Sequence, residues 1–259
     1  MNYVPLFYYL SNNFGDAMSH YIAGKISGKQ PVLVDRDDEC HKYMVTGSIL
    51  NNDVKNATVW GCGVAWSNDI IPNKTKILAV RGKLTGELCR RQGVPFDEVY
   101  GDPAILMPRI YNPHLIKTYK LGIIPHYVDL KIVYDKLGLS DFELKNLGIK
   151  IINPLDDVET VVNNILQCDK ILSSTLHGLI TSHAYEIPAL WTKFSNDIGG
   201  DDFKYLDYFT TTNYTANSFY DLRENLSIDL IKEFSQTTLT KTVITINKDE
   251  LYNACPFKN

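Results

Sequence analysis

Short apolar runs alternate with amphipathic segments along most of this chain, a pattern typical of buried strands separated by helices. In the first part, the pattern predicts strands at 6–10, 31–34, 47–50, 58–64, 76–80 and 100–106, and helices at 16–26 and 83–92. Two prolines and little periodicity at 107–113 indicate a linker. The alternation then resumes, with strands at 121–125, 149–153, 170–174 and 189–192 and helices at 128–137, 158–167 and 176–186.

This alternation predicts an α/β fold in which parallel strands are covered by helices on both faces. Because the pattern runs twice with a proline-bearing segment between, we expect two Rossmann-like halves. We predict an N-terminal domain at 1–110, a C-terminal domain at 117–215 and a tail at 216–259. The tail carries helical patterns at 226–234 and 249–254, and we expect it to pack back on the body.

Composition narrows the class of protein without indicating a function. The chain has 259 residues, 44% hydrophobic and 22% charged, with a net charge of −4, which excludes a disordered chain and does not favour nucleic-acid binding. We find neither the basic region of a signal peptide nor an apolar run near the roughly 18 residues of a membrane span. We therefore expect a soluble, cytoplasmic protein, with contact at the inner face of the membrane left open. Five scattered cysteines without C-x-x-C spacing predict buried free thiols.

Polar residues gather where the predicted strands give way to helices. In open α/β sheets, ligands bind beyond the carboxyl ends of the strands, so these loops are where chemistry is expected. The polar loops lie at 12–16, 61–63, 81–83, 125–127 and 173–178.

Several short motifs occur in these loops and nearby, in one order along residues 12–191. They are Asn13-Phe14-Gly15-Asp16, Gly61-Cys62-Gly63, Val80-Arg81, Gly101-Asp102-Pro103-Ala104, Ile124-Pro125-His126-Tyr127 and Ser173-Ser174-Thr175-Leu176-His177-Gly178-Leu179-Ile180. Each motif alone is weak, but together and in this order they resemble the polysaccharide pyruvyl transferase family. The resemblance implies a fold similar to the two-domain (GT-B-like) glycosyltransferases, with the active site in the cleft between the domains.

The resemblance also implies an activity. Family members transfer the pyruvyl group of phosphoenolpyruvate to a sugar diol of a surface polysaccharide or exopolysaccharide precursor, forming a pyruvate ketal and releasing phosphate. This chemistry needs a proton donor, a base and cations for the donor, and the chain shows no metal-ligand spacing. We therefore expect no cofactor, with phosphoenolpyruvate as co-substrate and a carbohydrate acceptor, free or lipid-linked.

Two histidines and an arginine are the main candidates for this chemistry. His177 follows a strand end and begins a helix, and we predict that it is the principal acid and base, a role suited to histidine near neutral pH. His126 follows the strand at 121–125 and is expected to enter the same cleft, to bind the donor or relay protons. Arg81 directly follows the strand at 76–80, so its guanidinium is expected to emerge where ligands bind. A structural histidine at 126, and an ion pair or strut between loops at 81, stay open.

Glycines and small polar residues complete the predicted site. Gly15 allows the backbone to approach a ligand, while Asp16 either caps the first helix or orients a sugar hydroxyl. Gly61 and Gly63 are expected to form a tight turn that lines the cleft, and Asp102 to initiate a turn. Aromatic residues near Trp66 or Tyr127 are candidate platforms for a sugar. We assign substrate binding to Arg81, Thr175, Leu176, Gly178, Asn13, Gly15, Asp16, Gly61 and Gly63.

At one position the chain departs from the family pattern. Members often carry an arginine two residues before the histidine of the last motif, where it helps to hold the anionic donor, whereas this chain has Thr175. A hydroxyl brings no charge and cannot replace the bidentate fork of arginine. Either another cation takes over or the donor is bound differently, and the candidate cations are Arg81, Lys83, Arg109 and Lys193.

Two other functions stay open at this point. One is a GT-B-like glycosyltransferase with a nucleotide-sugar donor, since a fold alone does not decide the reaction. The other is a non-catalytic relative that binds carbohydrate or a partner protein.

Overall fold

The protein is described by a computed structural model over residues 2–11, 13–215 and 218–258. Its strands form two sheets of five strands each, and every paired strand runs parallel to its neighbour. The first sheet contains β1 (Tyr3–Leu6), β2 (Gln30–Leu33), β3 (Lys42–Met44), β4 (Ala57–Trp60) and β5 (Lys76–Ala79). The second contains β6 (Leu121–Ile124), β7 (Ile149–Ile151), β8 (Ile171–Ser173), β9 (Ala189–Lys193) and β10 (Tyr220–Asp221). The predicted α/β class and the two Rossmann-like halves are confirmed.

The two sheets share one strand order. The first reads β2-β1-β3-β4-β5, and the second, read from its β7 edge, reads β7-β6-β8-β9-β10. Both correspond to the doubly wound order 2-1-3-4-5, in which the chain changes direction across the sheet between its first and third strands. A crevice for ligands opens at this switch point, beyond the carboxyl ends of those two strands. Each half therefore offers a crevice, between β1 and β3 in one and between β6 and β8 in the other.

Helices connect the strands in both halves. They are α1 (Phe14–Ser27), α2 (Lys83–Arg91), α3 (Met107–Ile110), α4 (Leu130–Leu137), α5 (Asp141–Asn146), α6 (Val158–Leu166), α7 (Leu176–Ala184), α8 (Phe203–Phe209), α9 (Ile228–Gln236) and α10 (Lys248–Asn253). A 3₁₀ helix, Pro103–Leu106, precedes α3. Within the described ranges, no helix has the length and apolar composition to cross a bilayer.

The halves are joined by a common hydrophobic core. One cluster of buried side chains includes Leu6 and Trp60 from the first sheet together with Ile124 and Trp191 from the second half. Burying apolar side chains from both sides removes them from water and holds the two crevices against each other.

The C-terminal residues lie on both halves. Strand β10 pairs with β9, so the second sheet extends past residue 215, where the second domain was predicted to end. Helix α9 packs Ile231 into the core of the second half, whereas α10 returns to the first half, where the backbone oxygen of Leu251 accepts a 2.8 Å hydrogen bond from Trp60 Nε1.

Two predicted strands are wrong, and the first strand is misplaced, because β1 covers Tyr3–Leu6 whereas 6–10 was predicted. Residues 47–50 form a turn, because Gly47 adopts φ +101°, a left-handed conformation that interrupts an extended chain. Residues 100–106 contain the 3₁₀ helix instead, since Pro103 offers no N–H to a sheet and the Asp102 side chain accepts from Ala104 N. Part of the predicted linker at 107–113 forms α3. All five cysteines are free, as predicted, but Cys40 is exposed, whereas a buried thiol was expected.

Candidate active site

An open pocket with a volume of about 220 Å³ lies where the switch points of the two halves face each other. The first half contributes the loops after β1 and β3, and the second half contributes the loops after β6 and β8 together with the start of α8. The lining residues are Tyr9, Asn13, Gly15, Asp16, Gly47, Ser48, Ile49, His126, Tyr127, Thr175, Leu176, His177 and Lys204.

This pocket brings together many of the residues predicted from the sequence. Those that line it are Asn13, Gly15, Asp16, His126, Thr175, Leu176 and His177. Four other predicted site residues do not line it, namely Arg81, Gly61, Gly63 and Gly178. The first group lies on switch-point loops, which accounts for their convergence from distant parts of the chain.

His177 lies in the first turn of α7, and a residue just before this helix caps its N-terminus. Thr175 is the N-cap, and its hydroxyl oxygen accepts a 2.9 Å hydrogen bond from Gly178 N. The His177 ring is largely buried, with 10% of its side chain exposed, and its Nε2 lies 3.4 Å from Asp102 Oδ2. Neither of these two atoms has a hydrogen-bond partner among the described residues. The ring therefore lines the pocket while its Nε2 faces a buried carboxylate.

Asp102 has a second role that the sequence did not indicate. Its Oδ1 accepts from Ala104 N at 2.9 Å and starts the 3₁₀ helix, as expected of a turn initiator. Its Oδ2 is completely buried and faces the imidazole of His177. A buried carboxylate in this position orients the imidazole ring.

Gly15 is packed against the opposite side of the His177 ring. A Cβ atom on residue 15 would lie 2.4 Å from His177 Nδ1, far inside van der Waals contact. Gly15 was predicted to let the backbone approach a ligand, whereas in the structure its lack of a side chain makes space for the imidazole.

The substitution Gly15→Ala is expected to lower activity by about 10- to 100-fold, because the imidazole must move by up to about 1 Å. Stability should fall by about 1–3 kcal/mol, because the new Cβ displaces a largely buried ring, although alanine itself favours a helix. Steady-state kinetics and thermal unfolding would measure the two effects. Gly24→Ala, on the same helix but next to Pro31, is the matched control and should leave activity intact. Full activity of Gly15→Ala would contradict the placement of the ring.

His126 lies at the pocket in an uncharged state. Burial, with a smaller contribution from Lys204, lowers the pKa of His126 to about 4, and its Nδ1 has no partner among the described residues. The loop is fixed through Ser174 Oγ, which accepts from His126 N at 2.8 Å and donates to buried Asp129 at 2.8 Å. In the free protein at neutral pH, His126 can exchange hydrogen bonds with a ligand but offers it no positive charge.

Lys204 supplies the positive charge of the pocket and was missed from the sequence. It is the sole lysine or arginine among the described lining residues. Its Nζ donates to Gly199 O at 3.0 Å, and burial, together with the nearby Arg81, lowers its pKa to about 8. No motif marks Lys204, because it lies in α8, a short helix far along the chain from the other site residues.

The other candidate cations lie elsewhere. Arg109 pairs with Asp249 at 2.7 Å and Lys193 with Asp202 at 2.7 Å, while Lys83 is exposed and outside the lining. Of the lysines and arginines in the described part of the chain, Lys204 is therefore the one that lines the pocket.

The prediction that Arg81 reaches the ligand is corrected by its contacts. Its side chain is fully buried, and Nε donates to Asp207 Oδ2 at 3.0 Å. Its other nitrogens donate to Ser48 Oγ at 2.8 Å and Val64 O at 2.7 Å. The guanidinium is thus engaged on all sides, and the contacts describe a strut that joins the first half to α8.

The remaining glycines serve packing around this strut and around the α7 cap. A Cβ at Gly63 would lie 2.7 Å from Arg81 Cζ, and one at Gly61, where φ is +93°, would lie 2.2 Å from Pro103 Cδ. A Cβ at Gly178 would lie 2.5 Å from Thr175 Oγ1. These glycines permit close approach within the protein, not approach to a ligand, because the space that they open is already filled.

Asp16 brings the negative charge of the lining. Its Oδ2 accepts from Ser11 Oγ at 2.5 Å and from Asn13 Nδ2 at 3.4 Å. Its Oδ1 has no hydrogen bond to a described residue and is available to a ligand hydroxyl. No group of three or more histidine, cysteine or acidic side chains is placed to hold a metal ion within the described ranges, and the absence of a cofactor stays a prediction.

Comparisons with known proteins agree with this description. A family model for polysaccharide pyruvyl transferase matches residues 55–196, more than half of the chain. The chain is similar to uncharacterized protein L143 of Acanthamoeba polyphaga mimivirus, with 29% identity over 92% of this chain and 86% of that protein. It is also similar to succinoglycan biosynthesis protein ExoV of Rhizobium meliloti (strain 1021), with 28% identity over 56% of this chain and 43% of that protein.

No solved structure matches the chain, and the similarity to GT-B-like glycosyltransferases stays a prediction. The matched segment carries Asp102, His126 and the whole of the Thr175–Gly178 motif in the order that the fold uses to build the pocket. The chain therefore belongs to the polysaccharide pyruvyl transferase family.

Proposed function

We propose that this protein transfers the pyruvyl group of phosphoenolpyruvate to a sugar diol of a polysaccharide precursor, forming a pyruvate ketal and releasing phosphate. The observation that carries the proposal is the meeting of the His177–Asp102 pair, the N-terminus of α7 and Lys204 in one pocket. Family membership supports it, as does similarity to a protein named for succinoglycan biosynthesis.

The donor is an anion, and the pocket holds two features that attract anions. The N-terminus of α7 directs free backbone N–H groups and the positive end of its dipole toward the pocket. Lys204 adds an ammonium group on the same side of the cleft. In our proposal these features hold the carboxylate and phosphate of phosphoenolpyruvate, without the arginine that Thr175 replaces.

His177 is the proposed proton donor. Nε2 is directed at Asp102 and Nδ1 lies beside Gly15, which also lines the pocket, and in our proposal Nδ1 exchanges the proton with the substrate. Protonation of the methylene carbon of phosphoenolpyruvate makes the adjacent carbon electrophilic, and one acceptor hydroxyl adds there as its proton passes to a base. Asp16, with Oδ1 free of described partners, is the proposed base.

The second half of the reaction closes the ketal. The bond from this carbon to the phosphate oxygen breaks, and the second hydroxyl of the diol adds in its place. Of the two hydroxyl protons, one ends on the new methyl group and the other on phosphate, so no oxidant or reductant is needed.

The proposal is tested by phosphate release from phosphoenolpyruvate in the presence of β-galactosides, mannosaminides and lipid-linked glycans. We expect release that depends on one of these acceptors and a product with a pyruvate ketal by mass spectrometry. Thermal-shift measurements on the same protein compare phosphoenolpyruvate with nucleoside diphosphates. Stabilisation by a nucleoside diphosphate and none by phosphoenolpyruvate would overturn the proposal in favour of glycosyl transfer. Cytoplasmic location and a lipid-linked acceptor are further predictions that fractionation and the lipid-linked arm would address.

Lys204→Met is expected to weaken phosphoenolpyruvate binding by roughly 10- to 150-fold, the loss of a charge-assisted hydrogen bond of about 1.5–3 kcal/mol. Titration calorimetry would measure the dissociation constant for phosphoenolpyruvate. Lys83→Met, which removes an exposed charge outside the pocket, is the control and should bind as the wild type does.

The same lysine predicts a pH dependence. With a pKa of about 8 in the free protein, Lys204 is mostly charged at pH 7 and loses its proton as the pH rises. Donor binding should therefore weaken above about pH 8. Lys204→Arg should abolish that weakening, because a guanidinium stays protonated. If donor binding by Lys204→Arg weakens at alkaline pH as it does in the wild type, another group is responsible for the weakening.

A further inference from the structure

Two tyrosines at the rim of the pocket have no role in the donor chemistry proposed above. Tyr9 follows β1 and Tyr127 follows β6, so each comes after the first strand of its half. Both line the pocket, and both are half exposed, at 51% and 49%. Large aromatic surfaces held open to water from both sides of a cleft are typical of binding surfaces.

Each ring is held on one side. Tyr9 packs edge-on against Phe7, with ring centroids 6.2 Å apart, and its hydroxyl donates to Asn52 Oδ1 at 3.2 Å. Tyr127 lies against the His126 ring at 4.5 Å. Because these contacts occupy one side of each ring, the exposed surface is preorganised and a ligand would order little more on binding.

The charges of the pocket restrict what those rings can bind. Among the described lining residues, Lys204 is the sole cation of the lysine or arginine type, and Asp16 is the sole carboxylate. Under the proposed function, Lys204 serves the anionic donor. With Lys204 engaged by that anion, a second anionic group beside Asp16 would face like-charge repulsion.

We propose that Tyr9 and Tyr127 form the acceptor subsite, which takes a neutral pyranose ring through its C–H face and excludes uronic acids. The electron-rich face of a tyrosine ring attracts the C–H groups of a sugar, while Asp16 accepts from a hydroxyl and repels a sugar carboxylate. That the ligand is the acceptor rests on the proposed function, but sugar binding at these rings requires no donor.

The test uses the whole chain and a panel of methyl glycosides, with excess inorganic phosphate present to occupy Lys204 in place of the donor. The neutral probes are the β-galactoside, β-glucoside, α-mannoside and N-acetyl-β-mannosaminide, and the acidic probe is the β-glucuronide. Saturation-transfer NMR and titration would report affinity. We expect at least one neutral glycoside to bind, the glucuronide to bind at least about 10-fold more weakly than the corresponding glucoside, and each of Tyr9→Ala and Tyr127→Ala to weaken neutral binding about 3- to 10-fold.

Variants separate ring stacking from general damage. Tyr9→Phe and Tyr127→Phe keep the rings and should retain most of the affinity. Tyr3→Ala, at a tyrosine of similar exposure (42%) outside this pocket, is the matched control and should bind normally. Thermal unfolding would show that all variants are folded.

The outcomes distinguish this inference from the proposed function. If the alanine variants bind every neutral glycoside as the wild type does, if no neutral glycoside binds, or if the glucuronide binds as tightly as the glucoside, the acceptor subsite is overturned. Phosphate release by the wild type would still support pyruvyl transfer in that case. Conversely, tyrosine-dependent sugar binding without use of phosphoenolpyruvate would support the subsite while the proposed donor fails.

Discussion

His177→Gln is expected to lower kcat/KM for acceptor-dependent phosphate release by about 10²–10⁴-fold, the usual contribution of a positioned acid or base. Glutamine fills similar space and donates a hydrogen bond, but it cannot give a proton to carbon. Binding of phosphoenolpyruvate should be largely retained, because Lys204 and the α7 N-terminus are unchanged. Kinetics and calorimetry on the same preparation would separate the two. Near-normal turnover by His177→Gln would move the acid to His126 or elsewhere.

Asp102→Asn tests the pairing with His177 by separating turnover from donor binding. The amide keeps the shape of the side chain and an oxygen that can accept from Ala104 N, but it faces the imidazole without a negative charge. If the carboxylate orients the ring for proton transfer, kcat should fall by about 10- to 100-fold while binding of phosphoenolpyruvate is largely retained. A merely structural role in starting the 3₁₀ helix would lower thermal stability and leave kcat of the folded protein unchanged. His126→Gln is the comparison, since His126 does not face this carboxylate in the described contacts.

Arg81→Leu is expected to destabilise the fold by about 3–5 kcal/mol, the cost of leaving one member of a buried ion pair without its partner. Asp207 is fully buried and also accepts from Thr85 N at 2.8 Å and Thr85 Oγ1 at 2.6 Å. Without the guanidinium, its charge stays in the interior uncompensated. Urea denaturation would give the free energy of unfolding, with the slope expected to stay the same.

Two variants sharpen this result. Arg90→Leu breaks the Arg90–Glu98 pair, whose side chains are 47% and 64% exposed, and should cost at most about 1 kcal/mol. The double variant Arg81→Leu with Asp207→Leu should recover part of the stability lost in Arg81→Leu, because no lone charge remains buried. A loss below about 1 kcal/mol in Arg81→Leu would contradict the strut. Because Lys204 and Asp207 share α8, a fully folded Arg81 variant should also bind phosphoenolpyruvate more weakly.

The strands that the sequence predicted well are those with continuous apolar runs. β5, β6 and β9 lie within a residue of the predicted bounds. β6 is buried at every position, as expected of a strand covered on both faces, whereas β5 begins with the exposed Lys76 and β9 ends with the partly exposed Lys193, so only their inner residues form the apolar run. The missed strand β3 has three residues, too few for a pattern. Residues 47–50 have the composition of a strand, but the conformation of Gly47 turns them into part of the pocket wall.

The candidate site was predictable to the extent that it lies at strand ends. His177, Asp16 and His126 follow strands or open helices, and parallel strands carry their carboxyl ends to one edge. Arg81 follows a strand in the same way, yet its partner Asp207 lies 126 residues further along. The residues around Arg81 in the sequence do not show that a buried carboxylate from a distant part of the chain will pair with it.

The sequence by itself determined the α/β class, the two repeated halves and three of the loops that line the pocket, those after β1, β6 and β8, but it predicted a strand where the loop after β3 lies. Periodicity, glycines and helix caps are local signals, because each depends on residues that are close together in the chain. Only the tertiary structure decided which cation serves the pocket, which carboxylate faces His177 and which arginine is a strut. These are pairings between residues distant in the chain, and their energies depend on burial and distance, which arise when the two halves pack together.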